Sequence, residues 1–395
     1  MIQDPIQFPE PDSSYLQGLM LRLLALHSPT GYTDGIVHLV CEELDRLGID
    51  YELTRRGAIR ATLPGTRQTP DRAIVAHLDT LGAMVRELKP NGRLAMVPVG
   101  TWSSRFAEGS RVSIYTDDTM YRGTVLPLKA SGHVFNERVD LQPVAWDQVE
   151  IRIDEDVDTS EDLEDLGIRV GDFVGFDSQP EITPNGYINS RHLDDKAGAA
   201  ALIAAAKAVK ESAMVLPVDC HVLFTISEET GCGASAVLHG DVAEMVTIDN
   251  GTAGPGQNSR EHGVTVAMAD STGPFDYHLT HHMLHLCREH DIPHVRDIFR
   301  YYRCDSASAV EAGNDIRTAL ITFGVDASHG YERTHMDSLV QVARLLIRYA
   351  ASDPLFRREA RALSKIEGFP DTKTVNVESI GLGHPEPAVT EPAGR

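Results

Sequence analysis

The sequence predicts a mixed α/β fold that carries a small, separate β-rich domain. Near both ends of the chain, buried apolar runs alternate with segments of helical periodicity. Between about residues 86 and 186, short alternating runs are instead separated by Gly, Asn and Asp turns, which is typical of a small β-barrel or sandwich. The predicted organisation is one domain built from residues 1–85 and 187–380, an inserted β-rich lid or dimerisation domain at 86–186, and a Pro-rich, disordered tail at 381–395.

Composition excludes several classes of protein. The 395 residues are 42% hydrophobic and 24% charged, as in soluble proteins with a sizeable core. A formal net charge of −22 argues against nucleic acid and anionic membranes as partners. Five cysteines without CxxC spacing indicate neither a disulfide framework nor a cysteine–zinc site. The N-terminal residues lack the features of a signal peptide, and no apolar run is long enough to span a bilayer, so a cytoplasmic protein is expected.

The first part of the chain predicts two helices and two strands. Apolar residues recur at helical spacing over residues 15–47, and the segment SPTGYTD at 28–34 separates two helices. Short strands follow at 59–63 and 73–76. The second strand runs directly into AHLDT, residues 76–80. A histidine and an aspartate therefore lie at its end.

The β-rich insert carries no recognisable chemistry. It contains one or two helical turns at residues 160–167 (SEDLEDLG), followed by a strand-like GDFVGFD. Nothing in the region gathers histidines with carboxylates. The insert is therefore predicted to serve assembly or access rather than catalysis.

The second part returns to helices and strands. The predicted elements are a helix from RHLDDKAG to about residue 211, a strand at 218–226, a helix near 234–238, a strand at 245–248, a His-rich helix at 278–290, a strand at 318–325 and an amphipathic helix ending at 351.

Acidic and histidine side chains follow these strands. His77, Glu228 and Asp249 each come at or just after a strand end, and His329 follows a fourth strand within a few residues. Because ligand sites in open α/β sheets lie beyond the carboxyl ends of the strands, these groups should converge. Each has an ordinary structural explanation, such as a turn cap or a structural histidine. Their coincidence at one sheet edge favours a functional site.

The adjacent Glu228 and Glu229 are informative by themselves. Neighbouring like charges at the end of a core strand are costly unless something stabilises them. A metal centre that one glutamate ligates while the other acts as a base would do so. The alternative is a solvated loop that happens to contain two acids.

The order of the motifs AHLD, LDDKAG, SEETG, IDNG and SHGYE resembles the M42 family of dinuclear metallo-aminopeptidases. The resemblance runs through nearly the whole chain, including LGIRVGDFV in the insert. It implies a mixed-sheet, three-layer, zinc-exopeptidase-like catalytic domain with an inserted small β-barrel. It also implies hydrolysis of N-terminal residues from short peptides and, since M42 proteins commonly form tetrahedral dodecamers, a homo-oligomer.

The resemblance further implies roles for seven side chains and for two divalent metal ions per subunit. Two imidazoles and three carboxylates suit zinc or cobalt, which would acidify a water and polarise the scissile carbonyl. The implied roles are His77 and Asp249 at one metal, Glu229 and His329 at the other, Asp194 as the bridge, Glu228 as the general base, and Asp79 as an acceptor that orients His77.

Two choices between neighbours rest on the family pattern. Asp194 is taken over Asp195 as the bridge because the family places the ligand first, although the pair could also cap a helix. His329 is taken over His335 because the strand before it aligns to the family's strand without a gap.

A second group of histidines lies on one predicted helix. Their i, i+3, i+4, i+7 spacing places them on one face, which could bind zinc, but a partly exposed face or a subunit contact is favoured. These residues are His278, His281, His282 and His285.

The sequence departs from the family pattern at three positions. Thr80 and Lys196 replace the usual Glu and Arg, and Glu332 lies one residue closer to the histidine than in the family's HSPxE segment. No ligand is lost, so substrate preference is what these changes leave open. The alternative activity is a dinuclear deacylase or amidohydrolase acting on a small N-acyl or amide metabolite. A non-catalytic scaffold or a phosphoesterase fits the motifs less well.

Overall fold

The computed structural model describes residues 8–356 and Phe369, so the predicted tail at 381–395 lies outside the described residues. The α-helices are α1 (Ser13–Leu24), α2 (Asp34–Leu47), α3 (Gly132–Phe135), α4 (Ser160–Asp165), α5 (Leu193–Glu211), α6 (Tyr277–Glu289), α7 (Asp305–Glu311) and α8 (Met336–Ala351).

The first nine strands are β1 (Tyr51–Leu53), β2 (Ile59–Leu63), β3 (Asp71–His77), β4 (Gly82–Leu88), β5 (Arg93–Val99), β6 (Arg111–Tyr115), β7 (Met120–Pro127), β8 (Val149–Ile153) and β9 (Phe173–Phe176). The remaining strands are β10 (Glu181–Ile182), β11 (Tyr187–Ser190), β12 (Cys220–Thr225), β13 (Val242–Thr252), β14 (Val264–Asp270), β15 (Gly273–Pro274), β16 (His294–Ile298), β17 (Arg317–Val325) and β18 (Glu332–His335).

A mixed sheet of nine strands forms the larger domain. Its order is β1-β2-β12-β3-β13-β17-β14-β15, with β16 paired to β14. The neighbours β12, β3, β13 and β17 run parallel, whereas β2 and β14 pair antiparallel on either side of them. Every residue of β3 and β12 is buried, which explains the apolar runs AIVA and VLF within them. The predicted mixed sheet is confirmed.

Helix α5 forms the centre of the packing against this sheet. It contacts α1, α8, β3 and β13. Its alanines, from Ala197 to Ala208, are buried. Because an alanine side chain is a single methyl group, the helix approaches the sheet and two other helices closely on several sides.

The insert is a closed barrel of six antiparallel strands in the order β4-β5-β8-β7-β6-β9. Its own apolar core includes Val112, Ile114, Val125 and Ile151. The barrel strands run from residue 82 to residue 176, against the predicted 86–186. The difference at the far end arises because β10 pairs with β11, and β11 with β18, in a separate three-stranded sheet.

A loop of the larger domain holds the barrel in place. His27 contacts the Tyr115 hydroxyl through Nδ1 (2.6 Å) and Asp177 Oδ1 through Nε2 (3.2 Å). A Cβ at Gly82 would lie 2.5 Å from Cβ of Pro29, so this approach requires glycine. The barrel loop containing Thr101 consequently faces the carboxyl edge of the large sheet.

Some elements differ from the sequence prediction. The helix predicted near 234–238 is a short 3₁₀ turn, Gly233–Ala236, whose Ala234 amide donates to the side chain of Asp305 (2.7 Å). Strands β14 and β16 and helix α7 were not predicted from the sequence. Among the described helices, none combines the length and the apolar character needed to cross a membrane.

Candidate metal centre

Strand register brings the predicted side chains to one edge of the sheet. In the parallel pair β12–β3, Thr225 lies opposite His77, which places Glu228 and Glu229 just beyond that edge. In the pair β13–β3, Thr247 lies opposite Val75, so Asp249, two residues further along, emerges level with His77. Hydrogen bonding along the strands thus determines this convergence.

Five of the predicted side chains form two overlapping groups. His77, Asp194 and Asp249 offer ligand atoms that all lie within 4.8 Å of one another, as do Asp194, Glu229 and His329. Asp194 belongs to both groups. Its Oδ1 lies 3.1 Å from Nε2 of His77 and its Oδ2 lies 3.3 Å from Nε2 of His329.

The outer hydrogen bonds of the two histidines fix their tautomers. Nδ1 of His77 donates to the backbone carbonyl of Asp79 (2.9 Å), and Nδ1 of His329 donates to that of Thr101 (3.0 Å). A carbonyl oxygen only accepts, so Nδ1 carries the proton and a neutral ring directs the Nε2 lone pair at Asp194. Two lone pairs facing carboxylate oxygens repel unless a proton or a cation lies between them. The donor set therefore fits a pair of bound cations.

The carboxylates of the site are crowded. Burial, together with the charge of neighbouring acids, raises the pKa of Glu228 and of Asp249 well above the ordinary range and that of Glu229 to about 8. Burial acts in the same direction on Asp194, but when no cation lies between them His329 and His77 are protonated and donate to it from Nε2, which lowers its pKa below the ordinary value. Two divalent cations would stabilise four carboxylates this close together, since their four positive charges would match the four negative ones.

Asp79 orients His77 through its backbone carbonyl and not through its carboxylate. Its backbone carbonyl orients His77, whereas its carboxylate Oδ1 lies 3.7 Å from Nδ1 of that ring. The carboxylate accepts hydrogen bonds from the backbone amides of Glu228 (3.0 Å) and Glu229 (3.3 Å) and from the Thr30 hydroxyl (2.6 Å). Asp79 thus connects the end of β3 to the turn that carries both glutamates.

Several supporting residues were missed by sequence reasoning. Asn250 donates from Nδ2 to Oδ2 of Asp194 (2.6 Å), and its position next to Asp249 was a signal that could have indicated it. Asp195 accepts from the His77 amide (3.2 Å), and its place in the DDK run could have suggested a role. Thr101 contributes only its backbone carbonyl, a group that every residue carries, so its residue type gave no signal of this role.

The two candidate histidines after β17 lie in different places. His329 has φ = 65°, a left-handed conformation that is unusual for a residue with a side chain, and it reaches the site. His335 is the N-cap of α8, where its Nδ1 accepts from the Asp337 amide (3.0 Å), while its Nε2 donates to the carbonyl of Asn185 (2.7 Å). Both ring nitrogens of His335 are thereby engaged away from the acidic cluster.

The histidines of α6 do not converge. His282 donates from Nε2 to the Ser352 hydroxyl (2.9 Å), His281 is bonded to the Tyr277 carbonyl and His285 lies 3.3 Å from Glu289. Within residues 8–356, the only groups arranged for a metal ion are the two that share Asp194. The zinc-face alternative for this helix therefore has no support in the structure.

The site opens into a cavity of about 830 Å³. One wall is the barrel loop from Thr101 to Phe106, and another is the segment from Phe299 to Arg303. Tyr302 donates its hydroxyl proton to the carbonyl of Asn250 (2.8 Å), which ties this segment to the strand that carries Asp249. Both domains thus shape the space in front of the metal centre.

Solved structures share this fold. A TET aminopeptidase from a marine-sediment Thaumarchaeota archaeon superposes with a TM-score of 0.77 at 19% identity, over 85% of this chain and 96% of that one. The TET1 peptidase of Pyrococcus horikoshii, described as assembling into a tetrahedron or a large octahedral shell, superposes with a TM-score of 0.75 at 20% identity, over 85% of this chain and 99% of that one.

Sequence comparisons identify the family. The Bacillus subtilis protein named "Putative aminopeptidase YhfE" is 38% identical over 335 residues, which are 85% of this chain and 96% of that protein. The lysyl aminopeptidase of Pyrococcus furiosus is 26% identical over 227 residues, 55% of this chain and 61% of that protein. The M42 glutamyl aminopeptidase family matches residues 57–345. With the site and fold described above, this match shows that the chain belongs to the M42 family of metal-dependent aminopeptidases.

Proposed function

We propose that this protein removes N-terminal residues from short peptides at a centre of two divalent metal ions. The observation that carries the proposal is Asp194, whose two carboxylate oxygens lie beside Nε2 of His77 and Nε2 of His329. A carboxylate placed between two imidazoles whose tautomers are fixed is suited to bridging two cations.

The five proposed ligands form two sets, one for each ion, which share Asp194. His77, Asp194 and Asp249 would hold one ion, and Asp194, Glu229 and His329 the other. When bound, the ions supply Lewis acidity, which polarises the scissile carbonyl and lowers the pKa of water.

Glu228 is the proposed general base. Its Oε2 lies 3.9 Å from Nε2 of His77, at the rim of the cavity, and it belongs to neither ligand group. Its carboxylate would take a proton from the attacking water and deliver it to the leaving amine. Asp79 holds the amides of Glu228 and Glu229, so the backbone under the base is fixed.

Zinc or cobalt is proposed for both ions. Imidazole nitrogen with carboxylate oxygen is a donor set that borderline ions accept, whereas calcium and magnesium prefer oxygen ligands alone. Each group contains at least one imidazole, His77 in one and His329 in the other.

The cavity is suited to a short peptide with a carboxylate. Its volume of about 830 Å³ lies in the range of small-molecule pockets. Apart from the metal-centre histidine, Arg300 and Arg303 are its positively charged lining residues. Arg303 is held by a two-fold contact with Glu311 (2.6 and 3.1 Å), while Arg300 is exposed. Because Glu311 already balances the charge of Arg303, it is the exposed charge of Arg300 that favours a carboxylate in the first side chain or at the peptide's C-terminus.

Assembly and location are part of the same proposal. We propose a cytoplasmic homo-oligomer, a dodecamer by resemblance, in which the barrel serves as the dimerisation or lid domain. The support for assembly is the shared fold with the Pyrococcus horikoshii TET1 peptidase, which can assemble into a tetrahedron or a large octahedral shell. The deacylase alternative is not favoured, because the relatives described above are named aminopeptidases or peptidases.

The proposal is tested by a substrate panel on protein stripped with a strong chelator and then reloaded with zinc or cobalt. The panel contains aminoacyl-anilides with acidic, neutral and basic residues, short peptides with free or amidated C-termini, and N-acetyl amino acids. We expect anilides and peptides to be cleaved only after reloading, and acidic or C-terminally free substrates to be preferred. Full activity in protein shown by elemental analysis to contain no metal, or cleavage of the N-acetyl compounds alone, would contradict the proposal.

A further inference from the structure

Glu332 connects two segments that are far apart in the chain. Its Oε1 accepts from the backbone amide of His329 (2.9 Å), and its Oε2 accepts from the backbone amide of Asp194 (3.2 Å). The residue is 1% exposed. One buried carboxylate therefore holds the main chain beneath two proposed ligands of the same metal ion.

Sheet pairing explains how Glu332 reaches both amides. It begins β18, which pairs antiparallel with β11, and it lies opposite Ser190. Strand β11 leads into the start of α5, which carries Asp194, and β18 follows the loop that carries His329. The small three-stranded sheet thus places Glu332 at the junction of the two ligand-bearing segments.

His329 has a particular need for such support. Its φ of 65° is a backbone conformation that residues with a side chain adopt only when the surroundings determine it. The carbonyl of Thr101 orients the imidazole, but it does not contact the main chain of His329. The hydrogen bond from the His329 amide to Glu332 holds the main chain directly.

Glu332 is not placed to bind the metal itself. Both of its oxygens are used by backbone amides, and it belongs to neither of the two groups of ligand atoms among the described residues. An orienting role differs from a ligand's role in what its loss should do, since it changes the affinity of one ion without removing a donor atom.

We propose that Glu332 is a positioning residue that sets the backbone of Asp194 and His329, and with it the affinity of the ion held by Asp194, Glu229 and His329. This inference rests on the two-metal centre proposed above. The chain's departure from the family spacing, HGYE instead of HSPxE, falls on this residue. The ion on the other side, held by His77 and Asp249, depends on Glu332 only through Asp194 and should be affected less.

The experiment compares cobalt binding by wild type, Glu332→Gln and Glu332→Asp after chelator treatment, by calorimetric titration and by metal analysis after dialysis against buffered cobalt. An amide can accept only one of the two N–H bonds, and a shorter carboxylate can reach only one. We expect two ions in wild type, and in both variants one ion weakened about 10–100-fold and the other weakened less.

Glu244→Gln is the control for a buried carboxylate away from the site, since Glu244 is also 1% exposed, accepts from the Leu355 amide (3.3 Å) and the Tyr349 hydroxyl (3.1 Å), and forms an ion pair with the buried Arg72 (3.0 Å). It should lower the melting temperature but leave both ions bound as in wild type. Unchanged affinity for both ions in the two Glu332 variants would overturn the inference. An equal loss of both ions in the Glu332 variants, or an equal loss of both ions in Glu244→Gln, would also overturn it.

A second arm identifies the affected ion. Asp249→Asn should weaken the ion next to His77 and retain the other, and adding Glu332→Gln should then remove the remaining ion at the same cobalt concentration. Retention of that ion would overturn the inference. A wild type that binds no cobalt would instead overturn the proposed function, so the two failures are distinguishable.

Discussion

At the scale of single residues, the adjacent Glu228 and Glu229 have different surroundings. Asp79 fixes both backbone amides, and from there Glu229 Oε2 lies 3.8 Å from Nε2 of His329, whereas Glu228 Oε2 lies 3.9 Å from Nε2 of His77. The turn after β12 thus directs the two neighbouring side chains towards different histidines. Two acids in one motif can therefore serve as a ligand and a base.

This difference predicts different losses. Glu228→Gln should reduce kcat about 10²–10⁴-fold, because a general base is lost, while both ions remain bound. Glu229→Gln should lower metal content as well as turnover, because a ligand is lost. Steady-state kinetics and elemental analysis on the same preparations measure both effects. The opposite pattern in the two variants would mean that the roles are exchanged.

At the scale of elements, the segment between β17 and α8 separates two histidines. His329 lies in the loop between β17 and β18, next to the sheet edge, whereas His335 ends β18 and caps α8. Their positions in sequence are only six residues apart, but strand β18 carries the chain away from the site. Element boundaries, not distance along the chain, decide which histidine reaches the carboxylates.

The variants His329→Ala and His335→Ala should therefore behave differently. His329→Ala should deplete the ion shared by Asp194 and Glu229. His335→Ala should keep both ions and lower stability by about 0.5–2 kcal/mol, the usual cost of a lost helix cap. Metal analysis and thermal unfolding of the two variants provide the measurements. Normal metal content in the first variant and loss in the second would reverse the assignment.

At the scale of the whole molecule, the two domains complete one site. The barrel loop supplies a wall of the cavity and the Thr101 carbonyl that holds His329, although the barrel contributes none of the ligand atoms found among the described residues. The insert was predicted to be uninvolved in chemistry, and its contact with His329 shows how it can nevertheless influence the metal centre.

Replacing the barrel with a short linker separates its role in assembly from its role in metal binding. Ala83 and Val174 lie opposite each other in the pair β4–β9, so a short linker can join the chain on either side of the barrel. The shortened protein should form a smaller assembly, retain the ion at His77 and bind the ion at His329 more weakly. Light scattering and cobalt titration test this. An assembly of wild-type size with full affinity for both ions would contradict both proposed roles of the barrel.

The sequence indicated the bounds of some strands but missed other elements altogether. Ile59–Leu63 has the predicted bounds, because its alternating buried residues mark a strand with one buried face. Strand β17 agrees within one residue, because a strand buried over most of its length needs a largely apolar sequence. Strand β16 and helix α7 were missed, since short elements of mixed polarity carry little periodic signal.

The sequence by itself determined the mixed α/β class, the inserted β-rich region and the identity of the side chains that meet at the site, because strand ends, motif order and residue chemistry are local properties. Only the tertiary structure decided that the carbonyl of Thr101 orients His329, that the carboxylate of Asp79 binds amides, and that Glu332 joins Asp194 to His329. These contacts involve backbone groups, which every residue carries, or side chains brought together by strand pairing across long separations. No pattern within a short stretch of sequence records such contacts, because they depend on how the sheet and the barrel are packed.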